Sequence, residues 1–176
     1  LIEQYGRSGF SMRLLADTMG VKTASLYNHI ENMDTLLTEV CRYALRMQED
    51  GELRAIAGKT GREAVWALAW AYRRFAQQHR ELYWLVMDTA AGEPRVLDDA
   101  AARFTEPLKQ VLSGFRLPPW EEIHFRRMFR AIVHGFASQE DEGFFSHYPA
   151  STELSFEFAI QRFIDCVLEA EKRNPS

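Results

Sequence analysis

A group of polar side chains near the amino terminus has the chemistry of DNA binding. The group consists of Lys22, Thr23, Ser25, Tyr27 and Asn28. A lysine ammonium neutralises phosphate, and the hydroxyls of Thr, Ser and Tyr bond phosphate oxygens or base edges. The side-chain amide of an asparagine matches the edge of adenine in the major groove. These residues could therefore bind duplex DNA if one element presented them together to solvent.

Two short amphipathic helices around Gly20 are predicted to position this group. The apolar residues of the first helix recur at i, i+3, i+4 and i+7, and they are Met12, Leu15, Ala16 and Met19. In the second helix, Val21, Leu26 and Ile30 are expected to pack backwards and to leave the polar residues outward. A glycine-containing turn between two such helices is typical of a DNA-binding helix-turn-helix. The spacing also fits two ordinary core helices with a solvated polar face.

A resemblance to a known family separates these interpretations. The matching residues are Gly9 to Ala16, Gly20, Val21, Ser25 to Ile30, Asn32, Leu36 and Leu37. With this spacing the segment resembles the DNA-binding domain of the tetracycline-repressor (TetR) family of bacterial transcription regulators. The resemblance implies a recognition helix from about Thr23 to Ile30, and DNA contacts at the start of the preceding helix. The implied DNA-binding residues are Ser11, Arg13, Lys22, Thr23, Ser25, Tyr27, Asn28 and His29. Met33 stands where family members usually carry a phosphate-binding lysine.

The overall charge does not by itself indicate a nucleic-acid partner. The 176 residues carry a formal net charge of −4 at pH 7, with 47% hydrophobic residues. Residues 1–30 are slightly basic, with Arg7, Arg13 and Lys22 against Glu3 and Asp17. Because the chain opens on Leu1 within an apparent helix, we expect a further amino-terminal arm, often basic in such proteins, to precede it.

Composition and motifs predict a cytoplasmic protein that is not an enzyme. Cys41 and Cys166 are the two cysteines, and both are expected to be buried free thiols in a reducing compartment. No apolar run reaches the ~18 residues of a membrane span, and no signal peptide is visible. The polar residues of the carboxyl-terminal half that could suggest a metal cluster are His124, His134, His147, Glu140 and Glu142. They lack metal-ligand spacing, so we predict no metal and no cofactor.

The periodicity predicts an all-α fold with two domains. Residues 1–48 are predicted to form the helix-turn-helix domain, and residues 49–176 a helical bundle for ligand binding and dimerisation. Asn32 is the expected N-cap of the helix that follows the helix-turn-helix. The glycine-punctuated segment from Gly51 to Gly61 is expected to form either a boundary or a short helix flanked by turns. Further helices are predicted over residues 62–79, 82–87, 96–112, 120–140 and 152–173.

The last two helices are expected to pair with a second copy of the chain. Their apolar arcs are wider than one core face requires, which favours a four-helix interface with twofold symmetry. A monomer with a deep core is the alternative. The residues predicted for this dimer interface are Phe136, Phe156, Ile160, Phe163 and Val167. Phe129 to Ser138, with Glu140, Gly143 and Phe144, resembles the regulatory domain of a TetR subgroup with a His-Gly-Phe-Ala signature, although the tryptophan that often precedes His-Gly is absent.

The family resemblance also implies a small-molecule inducer bound within the helical body. Aromatic and apolar side chains favour a hydrophobic or aromatic ligand. The predicted ligand-binding residues are Trp66, Trp70, Phe75, Met87, Phe104, Phe125, Met128, Phe129 and His134. An aromatic stripe at helical spacing also fits plain core packing, and His134 also fits a structural histidine. The function expected is a repressor released from a palindromic DNA operator by its inducer. The alternative is a dimeric ligand-binding protein without DNA binding.

Overall fold

The computed structural model describes residues 1–92 and 98–174, with side chains described outside residues 90–104. Within these ranges the chain is helical and has no β-strand, which confirms the predicted all-α fold. The helices are α1 (Ile2–Gly9), α2 (Met12–Met19), α3 (Thr23–Leu26), α4 (Met33–Ile56), α5 (Gly61–Gln78), α6 (Arg80–Gly92), α7 (Asp98–Leu112), α8 (Pro119–Asp141), a 3₁₀ helix (Phe144–His147) and α9 (Thr152–Arg173). None of the described helices is both long and apolar enough to cross a lipid bilayer.

From α4 onwards, helix boundaries follow the sequence signals except at two places. Helices α5, α8 and α9 begin and end within about a residue of their predicted limits. Helix α4, however, continues through Gly51 to Ile56, where a boundary or a separate short helix was expected. A glycine inside a helix costs only about 1 kcal/mol, which the neighbouring helix formers offset. Helix α6 extends to Arg80 and Gly92, well beyond the predicted residues 82–87.

The chain forms two compact units that each contain separate stretches of sequence. The first unit comprises residues 1–48 and 78–104, and the second comprises residues 49–77 and 105–176. The predicted functional domains, 1–48 and 49–176, stay a prediction. The compact units differ from them because α6 packs with the amino-terminal helices.

The first unit contains a small core under the two short helices and a second buried region between α4 and α6. Met12, Ala16 and Leu26 form the small core, which is extended by the half-buried Leu15, Ile30, Met33 and Leu36. Cys41 of α4 is buried beside α6, where its Sγ lies 3.2 Å from the hydroxyl of Thr89. Burial raises the pKa of the Cys41 thiol. Cys166 of α9 is exposed, so the prediction that both thiols are buried was wrong for this one.

The second unit is held by a dense aromatic and aliphatic core. The α9 side chains of Phe156, Ile160, Phe163, Ile164 and Val167 are 0% exposed. Phe163 receives the rings of Phe125 and Phe129 edge to face, at centroid distances of 5.9 and 5.4 Å. Such pairs add to the free energy of burial by roughly 0.5–1.5 kcal/mol each.

A buried ion pair joins α5 to α8 within this unit. Arg73 donates two hydrogen bonds to Glu140, at 2.6 and 3.2 Å, and Gln77 donates a third at 3.0 Å. The guanidinium of Arg73 also lies 5.1 and 4.8 Å from the ring centroids of Trp70 and Phe156. These bonds and ring contacts compensate the cost of removing both charges from water.

Candidate nucleic-acid interface

Helix α2 is fixed at both ends by backbone and side-chain hydrogen bonds. At its start, Ser11 Oγ accepts the backbone N–H of Leu14 at 3.1 Å, which is the bond of an N-cap. At its end, Gly20 has φ +69°, a left-handed conformation that favours glycine. The backbone N–H of Val21 bonds the carbonyl of Ala16, and that of Gly20 bonds the carbonyl of Asp17. These two bonds form a Schellman motif, so α2 stops cleanly and the chain turns towards α3.

Helix α3 is shorter than the predicted recognition helix. Regular helix spans only Thr23–Leu26, whereas the prediction continued to Ile30. The next residues form turns, with the backbone N–H groups of His29 and Ile30 both bonded to the carbonyl of Leu26. Leu26 is the buried anchor of α3 in the small core. The segment from Thr23 to Ile30 is thus one helical turn, Thr23–Leu26, followed by hydrogen-bonded turns up to Ile30.

The eight predicted DNA-binding residues all belong to this part of the first unit. The exposed ones are Ser11, Arg13, Lys22, Ser25, Tyr27, Asn28 and His29, and Thr23 is half-buried. Tyr27 is 53% exposed although it is aromatic. Arg13 lies 3.7 Å from Asp17, but both side chains are solvated, so this pair is weak and leaves Arg13 available. Their DNA contacts remain a prediction, and their exposure is what that prediction requires.

Two apolar residues next to the turn at Gly20 do not face the core as expected. Met19 and Val21 were predicted to face the core, yet both are exposed, Met19 by 60%. Met19 is the last residue of α2 and Val21 follows the turn at Gly20, and neither packs on the small core of Met12, Ala16 and Leu26. Ala24, which the sequence pattern did not single out, is exposed in α3 between Thr23 and Ser25. A small apolar side chain there could contact a thymine methyl group.

The start of α4 completes the helix-turn-helix region. Asn32 is the N-cap, as predicted, because its Oδ1 accepts the backbone N–H of Thr35 at 2.8 Å. Met33, the first residue of α4, packs on the cluster of Met12, Ala16 and Leu26. The position that carries a phosphate-binding lysine in the family therefore adds apolar contact here.

The predicted ligand-binding residues differ in burial, and they do not all belong to the same unit. Phe75, Phe125 and Phe129 are buried core side chains, and Met128 is exposed. Trp66, Trp70 and His134 are half-buried in the second unit, whereas Met87 belongs to the first. The side chain of Phe104 lies outside the described residues. Burial, with a smaller contribution from the nearby Arg130, lowers the pKa of His134.

The predicted dimer residues pack inside their own protomer. Phe156, Ile160, Phe163 and Val167 have no exposed surface, and Phe136 packs on Phe145 and Phe156 at centroid distances of 5.2 Å. Four of these side chains therefore offer a partner no free apolar surface, whereas Phe136 is half-buried, and the dimer interface itself stays a prediction. The exposed large apolar residues of the same two helices are Trp120, Ile123, Met128, Leu154 and Phe158. The sequence showed a wide apolar arc but could not tell which part of it faces outward.

A separate open hollow lies on the first unit and contains none of the predicted ligand-binding residues. It has a volume of about 820 Å³ and is lined by residues 3–8 of α1 and by Glu81 of α6. Among the described residues, no three His, Cys, Asp or Glu side chains are placed to hold a metal ion.

Known proteins resemble both the sequence and the fold. Residues 65–163, more than half of the chain, match the family model described as tetracyclin repressor-like, C-terminal domain. The HTH-type transcriptional regulator Rv0681 of Mycobacterium tuberculosis is 28% identical over 148 residues, which cover 81% of this chain and 66% of that protein. YobS, an HTH-type transcriptional regulator of Bacillus subtilis, is 26% identical over 170 residues, covering 96% and 87%. The chain thus spans slightly less than two thirds of the first relative.

A solved structure supports the same fold. A TetR family transcription regulator from Marinobacter aquaeolei superposes with a TM-score of 0.70 at 19% identity, covering 94% of this chain and 88% of that one. At this identity the likeness shows the fold alone. The family match covers most of the second unit and residues 78–104 of the first, while the helix-turn-helix has the geometry described above. The chain therefore belongs to the tetracycline-repressor family of DNA-binding transcription regulators.

Proposed function

We propose that this regulator reads a palindromic DNA operator with α3 and the turn that follows it. The observation that carries the proposal is the exposure of the polar residues around a single buried anchor, Leu26. An element with this arrangement can enter a major groove without losing its own packing. Lys22 and Arg13 would neutralise phosphates, while Tyr27 and Asn28 would reach base edges.

Ser11 would combine two roles at the start of α2. Its oxygen accepts the N–H of Leu14, but its own O–H remains able to donate to a phosphate oxygen. A hydroxyl held by a cap is already oriented, so the phosphate contact would cost little side-chain entropy.

The proposed operator requires two copies of the chain. Recognition helices read a palindrome when they lie about one DNA turn (~34 Å) apart, which a twofold-symmetric dimer provides. We assign the dimer contact to the exposed apolar side chains of α8 and α9, with Trp120 and Phe158 as its main residues. Large apolar side chains exposed on two adjoining helices are of the kind that protein interfaces cover.

The proposed inducer is a small hydrophobic or aromatic molecule bound in the helical body. The half-buried Trp66, Trp70 and His134 are predicted ligand residues that retain some accessible surface there, as does the exposed Met128. Because the lowered pKa keeps His134 neutral near pH 7, it would offer the ligand a hydrogen-bonding ring rather than a charge. The ligand would favour a dimer geometry that no longer fits the operator, which makes the protein a repressor.

The first test selects bound sequences from a randomised duplex-DNA pool at low salt, where phosphate contacts are strongest. Wild type is expected to enrich a palindrome, and Tyr27→Ala to enrich none. Tyr43→Ala is the matched control, since Tyr43 is an exposed aromatic residue of α4, at 58% against 53% for Tyr27. It should recover the same palindrome as wild type. If wild type enriches no sequence, the operator reading is wrong and the ligand-binding dimer takes its place.

A second test addresses the dimer contact. Trp120→Glu and Phe158→Glu each place a charge on the proposed contact, and we expect monomers in analytical ultracentrifugation with unchanged helical circular dichroism. Tyr43→Glu, a charge at an exposed aromatic position outside α8 and α9, should leave the dimer intact. Dimers of undiminished stability in both α8 and α9 variants would move the contact elsewhere.

A further inference from the structure

The helix pair of α8 and α9 exposes large aromatic side chains at both of its ends. Trp120, in the first turn of α8, is 64% exposed. At the other end of α8 lies the connector to α9, which we define as residues 143–149, and its Phe144 and Tyr148 are 53% and 68% exposed. Phe145 of the same connector packs on a phenylalanine of α8 at a centroid distance of 5.2 Å. The connector is thus held to α8 by one ring, while two other rings face solvent.

Within one protomer these two ends lie far apart. Arg173, at the end of α9, donates a hydrogen bond to Glu121 at the start of α8, at 2.7 Å. Near the other end, Phe156 of α9 contacts Phe136 of α8 edge to face. The two helices therefore run antiparallel with their ends aligned. From Trp120 to the end of α8 the helical rise amounts to roughly 30 Å, so Trp120 cannot touch the connector of its own chain.

The face of α8 that points away from the core changes in size along the helix. Four buried residues at a spacing of four mark the core side, and they are Phe125, Phe129, Val133 and Ala137. On the outer side the large side chains come first, and they are Trp120, Ile123 and Met128. Small residues follow on that side, and they are Ala131, Gly135 and Ser138. A Cβ added to Gly135 would meet none of the described neighbouring atoms within 4 Å, so this half of the face leaves room for a neighbour.

The outer face of α9 changes from apolar to charged. Leu154 and Phe158, in its first half, are exposed. The residues that continue this face in the second half are charged, and they are Arg162, Asp165, Glu169 and Lys172. Because α9 is antiparallel to α8, Leu154 and Phe158 lie level with the small residues of α8, and the charged half lies level with Trp120.

These two gradients distinguish two ways of pairing the helices with a second copy. A twofold axis parallel to the helices would place the large side chains of α8 against each other and against the charged half of α9, where burying Glu169 and Lys172 costs desolvation energy. A twofold axis across the middle of α8 would instead turn the partner end for end. The large half of each α8 would then meet the small half of the other, together with Leu154 and Phe158. Close packing and the burial of apolar surface both favour this second arrangement.

From this arrangement we propose that the connector is a docking surface for the start of α8 in a second copy of the chain, with Phe144 and Tyr148 covering the partner's Trp120. The proposal rests on the proposed dimer contact through α8 and α9, and it extends that contact to a segment outside both helices. Trp120 lies about 15 Å from the middle of α8, so the twofold axis carries it about 15 Å beyond the middle on the other side. This level lies between Leu154, at about 12 Å, and the connector, which follows the end of α8 at about 17 Å. By symmetry each dimer contains the contact twice.

Fluorine NMR of the full chain labelled with 5-fluorotryptophan tests the contact. The chain has four tryptophans, and the resonance of Trp120 is identified by its loss in Trp120→Phe. We expect Phe144→Ala and Tyr148→Ala each to shift this resonance in samples that sedimentation shows to be dimeric. Because the connector lies roughly 30 Å from Trp120 in the same protomer, the shift must come from the connector of the partner. Tyr43→Ala, at an exposed aromatic position outside the connector, should leave the resonance unchanged.

Sedimentation equilibrium measures how much the connector contributes to the dimer. We expect the double variant Phe144→Ala with Tyr148→Ala to raise the dimer dissociation constant by about tenfold, since aromatic rings in a covered contact often dominate binding. If wild type is a monomer, the proposed dimer fails and the connector contact fails with it. If wild type is a dimer and either the Trp120 resonance or the dissociation constant is unchanged in the variants, the connector contact is overturned while the α8–α9 contact stands.

Cysteine cross-linking tests the direction of the twofold axis, in a Cys166→Ser background because Cys166 is exposed. Trp120→Cys combined with Phe144→Cys should give a covalent dimer with a short bis-maleimide, and either substitution alone should give none. A covalent dimer from Trp120→Cys alone would place the two starts of α8 together and overturn the proposal. A dimer that the combined variant cannot cross-link would overturn it as well.

Discussion

The helix-turn-helix and the α5–α8–α9 core use opposite means to hold their shape. The first buries three modest side chains, Met12, Ala16 and Leu26, and relies on a cap, a Schellman turn and short hydrogen-bonded turns. The second buries five large or branched side chains of α9 completely. A surface that must present polar groups to DNA cannot also turn them inward, so its stability comes from backbone geometry. A body that carries no such demand can use nearly every apolar residue for packing.

The largest change in the free energy of unfolding is expected when a core side chain of the second unit is removed. Phe163→Ala removes a ring that receives Phe125 and Phe129, and we expect a loss of about 3–5 kcal/mol in the free energy of unfolding. Tyr43→Ala, an exposed aromatic residue of the first unit, should change it by less than about 0.5 kcal/mol. Chemical denaturation measures both values. Similar losses for the two variants would remove the contrast between the units.

The buried ion pair should show a slightly smaller and strongly coupled effect. Arg73→Met leaves Glu140 without its charged partner in a mostly buried site, and we expect a loss of about 3 kcal/mol. The double variant Arg73→Met with Glu140→Met should recover most of that loss, because no uncompensated charge remains. A double-mutant cycle by urea unfolding measures the coupling. A single-variant loss below about 1 kcal/mol would mean that the Arg73–Glu140 pair contributes little to the packing of α5 on α8.

In the helix-turn-helix the expected stability effect is about 1 kcal/mol, at the cap. Ser11→Ala removes the acceptor for the Leu14 N–H and is expected to cost that amount. Ser11→Gly should cost only a few tenths of a kcal/mol, yet it also removes the hydroxyl proposed to bond phosphate. Comparing unfolding and operator affinity for these two variants separates the cap from the DNA contact. Wild-type affinity for Ser11→Gly would exclude the phosphate role.

The smallest effect concerns pH and His134. Its folded pKa lies below the ordinary value of 6.5, because burial and Arg130 disfavour the charged ring. The unfolded chain therefore binds the proton more readily, so His134 lowers stability as pH falls from about 6.5 through the folded pKa. Unfolding at pH 7.5 and 5.5 should show a smaller loss on acidification for His134→Asn than for wild type. An equal loss in both proteins would assign the pH dependence to other groups.

Sequence reasoning succeeded where one local signal determines the structure. The turn at Gly20, the N-cap at Asn32 and the long α8 and α9 helices each follow from residues close together in the chain. It failed where distant residues decide. Arg73 and Glu140 are 67 positions apart, and nothing in either segment indicates the pair. The apolar breadth of α9 was visible, but which side is buried depends on where α8 packs. Helical periodicity assigned Met19 to the core face, but this side chain, on the last residue of α2, is exposed.

The different burial of the two thiols has a practical consequence for spectroscopy. Cys166 is exposed on α9, whereas Cys41 is enclosed beside Thr89 with a raised thiol pKa. A thiolate-directed spin label near pH 7 should therefore attach at one place without any cysteine being removed by mutation. In a twofold dimer, the two labels would give a single intermolecular distance. Recording that distance with and without DNA or a candidate inducer would show whether the α9 helices of the two protomers move relative to each other, without any mutation.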